Sequence, residues 1–195
     1  MPESANLQAF QKLLTTKSDS QINMNLFGQL FCEYLLYCRK KQQTIEDTEK
    51  MISDVGYDVG LRMWELFQLK ERFSIPDKQV TTKNDLQTAK SVLDKIKDKY
   101  WKFLFGKPAD ALDKIKAADL QFYLIDKKPV TDTFISYPVN KQNQYQGYLP
   151  SSFVAGILKS ALDSSGIDCT VQVHLYDQQG EMWTYFHIKC DEAQK

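Results

Sequence analysis

Gly56 and Gly60 stand four residues apart inside a segment whose apolar residues recur with a helical period. Ile52, Val55, Val59, Met63, Leu66 and Phe67 fall on one face of that helix. Thr44 and Asp47 just upstream fit a capping box, with Thr44 accepting from the first-turn amides. Two interior glycines cost a helix roughly 1 kcal/mol each relative to alanine. Spaced by four, they form a flat strip of bare backbone against which another helix can pack closely; a local kink is the other use of such a pair. The strip lies in an amphipathic segment, so it is not a membrane dimer motif.

Upstream, Phe27, Leu30, Phe31, Tyr34, Leu35 and Cys38 repeat at i, i+3, i+4 and i+7, while Leu26, Leu36 and Tyr37 lie off that stripe. A helix apolar on more than one side is either central or packed against a second chain. Beyond Ile75-Pro76, Asn84 and Gln87 mark another helix start. Leu86, Ala89, Leu93, Ile96 and Tyr100 lead into Trp101, Phe103, Leu104 and Phe105, and Gly106 stops the helix. Pro108 opens a short amphipathic turn through Leu112 and Ile115.

The pattern changes at Gln121. Phe122–Ile125 and Thr133–Tyr137 read as short strands, followed by a polar loop over 139–148. Ser151 or Ser152 caps a helix carrying Phe153, Val154, Ile157, Leu158, Ala161 and Leu162, which ends at Gly166. A hairpin closes the chain: Cys169 to Tyr176, a loop over 177–180, then Glu181 to Cys190. Val171, Val173 and Leu175 alternate inward with Met182, Phe186 and Ile188. The other face carries Gln172, His174, Tyr176, Trp183, Tyr185 and His187, too aromatic for a purely wet surface. It is covered by helices, by a partner, or by both. The reading is α+β: an antiparallel sheet covered by helices. A polar lead-in (1–20) precedes one domain (21–190), and a short tail (191–195) follows.

Equal numbers of basic and acidic residues, 25 each, argue against nucleic-acid binding, as does a supply of only three arginines. Lys95, Lys97, Lys99 and Lys102 alternate with Asp94 and Asp98 in the manner of a solvated helix face. No secretory signal is visible, and the four cysteines lack CxxC spacing, so reduced thiols and a cytoplasmic location are expected.

Catalytic equipment is hard to find. If Tyr176 pairs with Glu181, His174 and His187 share a face but stand on the order of 13 Å apart, too far to ligate one zinc ion. Each then serves as a sheet histidine bonded to a neighbour. Cys169 and Cys190 lie on the face opposite the histidines, which removes a Cys–His nucleophile. No GxxxxGK[ST] or GxGxxG is present. No catalytic, cofactor-binding or metal-binding residue is assigned, and no cofactor is expected.

Several segments in order resemble the small core subunits of the TRAPP vesicle-tethering complex, the transport protein particle, over about residues 22–176. They are Asn25–Phe31, Gly56–Arg62, Tyr100–Lys107, Phe122–Ile125, Phe134–Pro138 and Ser152–Leu158. Trp-Lys-Phe-Leu-Phe-Gly-Lys (101–107), followed closely by Ala109-Asp110, is the most specific of them, and the subunit 5 type is the best match.

The resemblance implies an α/β plait, with helices on one side of a four-stranded antiparallel sheet. It implies a non-catalytic, structural subunit of a guanine-nucleotide exchange factor for a Rab-family GTPase in ER-to-Golgi traffic and autophagy. It also implies a subunit 3 type dimer partner, a subunit 2 type neighbour, and peripheral association with the cis-Golgi and endoplasmic reticulum through the complex. Such subunits pair through N-terminal helices. Leu30, Tyr34, Tyr37, Val55, Gly56, Val59, Gly60 and Met63 are the partner-facing residues expected here. The acylated cysteine of the subunit 3 type is not carried over, because residues 43–105 contain no cysteine. The alternative is a haem- or lipid-binding sensor of related fold, which requires an enclosed pocket and, for haem, an axial ligand.

Overall fold

The computed structural model describes residues 23–74, 85–115, 120–136, 147–178 and 180–191. The expected lead-in, the Ile75-Pro76 break, Asn84, the polar loop up to residue 146 and the end of the tail lie outside these ranges. Helix α1 runs Met24–Lys41 and α2 Ile45–Ser74. Next, α3 (Asp85–Lys95), a π-helical turn (Ile96–Tyr100) and α4 (Trp101–Phe105) form one continuous rod. Strands β1 (Ala111–Lys114) and β2 (Gln121–Asp126) precede a 3-10 turn (Val130–Asp132) and α5 (Ser152–Asp163). The hairpin β3 (Cys169–Gln178) and β4 (Glu181–Cys190) follows. The four strands form one antiparallel sheet in the order β1-β2-β4-β3.

Local chemistry sets the helix ends. Thr44 Oγ1 accepts from the Asp47 amide at 3.1 Å, which is the N-cap half of the box, and the Asp47 carboxylate takes the Thr44 hydroxyl proton at 2.8 Å. Gly106 ends α4 in the left-handed region at φ 77°, with its amide on the Lys102 carbonyl. Ser151 does not cap α5 through its hydroxyl. That hydroxyl donates instead to Asp132 Oδ1 at 2.8 Å.

The π turn reconciles a crowded apolar run with two different neighbours. Both Tyr100 and Trp101 are fully buried although adjacent. The extra residue in the turn shifts the helix phase. Tyr100 meets Trp64 and Phe67 of α2, with ring centroids 4.8 and 5.1 Å away, while Trp101 meets Phe186 of the sheet at 5.6 Å. The main core joins these side chains to Phe122, Leu124, Val154, Leu158, Leu162 and Ile188. A second cluster unites Phe31, Leu35 and Cys38 of α1 with Ile52 of α2.

Three readings of the sheet are corrected. The fourth strand is Ala111–Lys114, where an amphipathic turn was expected. The segment from Thr133 is not a strand: residues 133–134 continue the turn that begins at Val130. The hairpin loop is also tighter than four residues. Gly180 takes φ 91° and its amide bonds Asp177 Oδ1 at 2.7 Å. That draws Gln178 and Glu181 into the ladder and moves the register by two residues. The inward and outward faces are those expected, because a two-residue shift preserves them.

Candidate functional site

The buried line of α2 is Thr48, Ile52, Gly56, Gly60, Trp64 and Phe67, one residue off the face read from periodicity. The glycines explain the rotation. A Cβ on Gly56 would stand 2.8 Å from the Phe153 carbonyl carbon, and one on Gly60 would stand 2.7 Å from the Ile157 Cα. On α5, a Cβ at Gly156 would meet the Tyr57 amide nitrogen at 2.7 Å. The strip is thus used for close helix packing, and its partner is the chain's own α5. Gly56 and Gly60 are buried inside the subunit, and their expected role as residues facing another chain is corrected.

That crossing pushes the large neighbours of the glycines outward. Val55 and Val59 are each 38% exposed, and Leu66 lies on the same line at i, i+4 and i+11. On α1, the buried stripe is Gly28, Phe31, Leu35 and Cys38. Leu30, expected on that stripe, is 71% exposed, in line with Leu26 and Tyr37. Each of the two N-terminal helices therefore carries a second, outward apolar stripe. Tyr34 and Met63 sit between the two environments. The Tyr34 hydroxyl donates to the Met51 carbonyl at 3.1 Å, and Met63 is partly buried against the main core. Of the eight residues expected to face a partner, Leu30, Tyr37, Val55 and Val59 are the exposed ones. Leu26, Leu61 and Leu66 add apolar surface that the periodicity count assigned to no partner.

The two ends of the 101–107 segment, Trp101 and Lys107, meet on one buried carboxylate. Asp126, at the end of β2, accepts from Trp101 Nε1 at 3.0 Å, from Lys107 Nζ at 2.7 Å and from the Lys128 amide at 3.0 Å. The segment is a clamp between helix and sheet. A second polar knot surrounds Asp132, which accepts from Ser151 at 2.8 Å and from Thr184 at 3.2 Å.

The outward face of the sheet is an aromatic cluster. Tyr123, His187, His174, Tyr176 and Tyr185 are linked through ring contacts of 4.9 to 6.2 Å. The shifted register brings His174 and His187 to 6.0 Å, which corrects the wide separation expected from sequence. His187 Nε2 bonds Gln121 Oε1 at 3.1 Å, so that ring has the neighbouring partner a sheet histidine needs. Burial, and then the His187 charge, depress the His174 pKa below 6.5. Burial pushes the Cys169 thiol up to about 12. Such a thiol stays protonated near neutrality and is a poor nucleophile.

A cleft of about 630 Å³ with mixed polar and apolar walls opens between Arg39, Gln42, Thr44, Ile45, Ile135 and Tyr148. Neither histidine lines it. Among the described residues, no group of three or more potential ligands surrounds a metal position. No helix among them is long and apolar enough to cross a membrane.

Helices packed on an antiparallel sheet, with a helical pair carrying outward apolar stripes, define an α/β plait. The chain belongs to the family described as "Transport protein particle (TRAPP) component", whose model matches residues 27–191. It is similar to trafficking protein particle complex subunit 5 of Dictyostelium discoideum, 31% identical over 166 residues, 85% of this chain and 82% of that one. The Gallus gallus protein of the same name is 29% identical over 79% of this chain and 75% of its own. The Homo sapiens one is 27% identical over 89% and 83%. A solved trafficking protein particle complex subunit 3 from Naegleria fowleri, covalently bound to palmitic acid, superposes with a TM-score of 0.63. It covers 87% of this chain and 96% of its own at 14% identity, which establishes the shared fold.

Proposed function

We propose that this chain is a structural core subunit of a TRAPP vesicle-tethering complex. In this reading it holds neighbouring small subunits in place while the assembly exchanges nucleotide on a Rab-family GTPase in ER-to-Golgi traffic. The observation that carries the reading is the pair of outward apolar stripes: Leu26, Leu30 and Tyr37 on α1, Val55, Val59 and Leu66 on α2. Burying a leucine-sized side chain is worth about 1.5–3 kcal/mol, so the stripes favour a helical partner. A subunit 3 type chain, presenting equivalent helices, is that partner, with a subunit 2 type chain as a further neighbour. The subunit is non-catalytic and reaches the cis-Golgi and endoplasmic reticulum peripherally, through the complex. The family match, together with relatives named as subunit 5, supports this reading.

The test is co-expression with a subunit 3 type chain, followed by gel filtration and mass spectrometry. A stable one-to-one complex that Leu30→Asp with Val59→Asp disrupts, while each chain stays folded, is the expected result. A complex equally tight with the double variant overturns the assignment of the surface. A wild-type chain that remains monomeric beside each small subunit overturns the assembly reading.

A further inference from the structure

Cys169 opens β3, Cys190 ends β4, and the ladder sets them directly opposite each other. Two hydrogen bonds fix what kind of pair they form. The Asp191 amide donates to the Asp168 carbonyl at 2.9 Å, so that adjacent pair is the one bonded between the two strands. The Cys190 amide turns the other way and donates to the Leu120 carbonyl at 2.9 Å, on the β2 side. Cys169 and Cys190 are therefore a non-hydrogen-bonded pair, whose side chains come closest across an antiparallel ladder. Such Cα atoms stand about 4.5 Å apart, within the span of about 4.4–6.8 Å that disulfides bridge. Both side chains enter the main core, at 4% and 6% exposure. The Cys169 carbonyl, turned away from β4, accepts from Lys159 Nζ at 3.1 Å, so α5 also holds this end of β3.

The other two cysteines lack this arrangement. Cys32 and Cys38 lie on one helix, α1, with about 9 Å of axial rise between them. Cys38 belongs to the second core cluster, away from the sheet.

We infer that Cys169 and Cys190 are a reversible redox pair, a dithiol in the resting subunit that closes to a disulfide across the open end of the hairpin on oxidation. No backbone movement is needed, because the ladder already supplies the spacing and the common side-chain direction. The spacing is at the short end of the disulfide range, which strains the bond and keeps it reducible. Burial holds both thiols above the ordinary thiol range, so oxidation waits on local opening of the strand ends.

The oxidant is a small disulfide such as oxidised glutathione. Cys190, the last residue of β4, loses its proton and its thiolate attacks one sulfur of that disulfide. A mixed disulfide forms, and one small thiol leaves with the proton. Cys169 then attacks the Cys190 sulfur, and the second small thiol leaves with the Cys169 proton. Two protein thiols lose two electrons, and one small disulfide becomes two thiols. The bridge ties the start of β3 to the end of β4, so redox state sets how firmly the last strand is seated. The pair lies in the sheet and away from the α1 and α2 stripes, so the inference stands independently of the assembly reading.

The experiment equilibrates the full folded chain in glutathione buffers of rising oxidised fraction, at mildly alkaline pH and with warming to just below the melting transition. Alkylation and trypsin follow. Cleavage after Lys189 separates the two cysteines, so the disulfide is read as peptide 160–189 linked to peptide 190–195. That link should form alone, with Cys32 and Cys38 still alkylated, and should revert in reduced glutathione. Exchange of the Asp191 amide should slow by at least about tenfold in the linked form. Cys169→Ser should leave Cys190 as a glutathione adduct, with Asp191 exchanging as in the reduced chain. The same buffers in urea should scatter the links among all four cysteines. Three outcomes overturn the inference: both cysteines still alkylated, or carrying only glutathione, in the folded wild-type chain while the urea sample forms links; the same spread of links in folded and unfolded chains; or a linked form whose Asp191 amide exchanges as fast as before.

Discussion

Gly56 on α2 and Gly156 on α5 hold their helices together reciprocally: each bare Cα faces backbone of the opposite helix. A Cβ at Gly56 would be 2.8 Å from the Phe153 carbonyl carbon, and one at Gly156 would be 2.9 Å from the Ser53 carbonyl carbon. Backbone cannot rotate aside as a side-chain tip can. Gly56→Ala should gain about 1 kcal/mol of helix propensity yet cost about 3 kcal/mol in overpacking. The net loss, about 2 kcal/mol, is measurable as a lower midpoint in urea. Gly56→Leu should prevent folding, so it reports on the subunit core and not on association.

The Trp101–Asp126 contact predicts a graded pattern. Asp126 is 1% exposed, and Asp126→Ala leaves the buried indole N–H without an acceptor. An unsatisfied buried donor costs about 1–3 kcal/mol, and the lost charge-assisted bonds add to that. Lys107 reaches the same carboxylate, but its side chain is 43% exposed, so Lys107→Gln should cost under about 1 kcal/mol. Denaturant midpoints of the two variants should separate clearly. Equal losses would mean that the ammonium, not the indole, anchors the carboxylate.

These two contacts also mark where sequence reasoning reaches its limit. The glycine spacing announced a close helix crossing but could not name the other helix, because α5 lies about a hundred residues downstream in sequence. The hairpin faces were legible from a two-residue period, whereas its register depended on how Gly180 turns. Ala111–Lys114 has no β-branched residue; it is a strand because β2 pairs with it. Thr133–Ser136 has strong strand propensity but lies beside Asp132, which Ser151 and Thr184 hold in a 3-10 turn. The candidate interface was legible as excess apolar residues on α1. Which α2 residues join it depended on the rotation imposed by the glycines.

His174 predicts an acid-side loss of stability. Its pKa is depressed in the fold, chiefly by burial and further by His187 at 6.0 Å. As pH falls below 6.5 the unfolded chain takes up the proton first, so the folded state loses stability through that window and is unaffected above it. His174→Gln should flatten the part of the melting-temperature decline seen between pH ~7.5 and pH ~5. A decline of unchanged slope in the variant would remove His174 as its source.

The outward stripes and the buried ones can be separated by mutation within a single helix. Phe31 is 7% exposed, stacks on Phe27 at 5.5 Å and meets Phe153 edge-on at 5.6 Å. Phe31→Ala should cost about 3–5 kcal/mol by leaving a cavity between α1 and α5. Leu30, the preceding residue, is 71% exposed, and Leu30→Asp should change the stability of the isolated chain by no more than about 0.5 kcal/mol. Affinity for a helical partner should respond in the opposite order. Leu30→Asp places a carboxylate in the apolar contact and should weaken binding by well over tenfold, whereas any folded fraction of Phe31→Ala should bind almost normally. Paired measurements of unfolding and of partner affinity distinguish a surface kept apolar for assembly from one left apolar by chance.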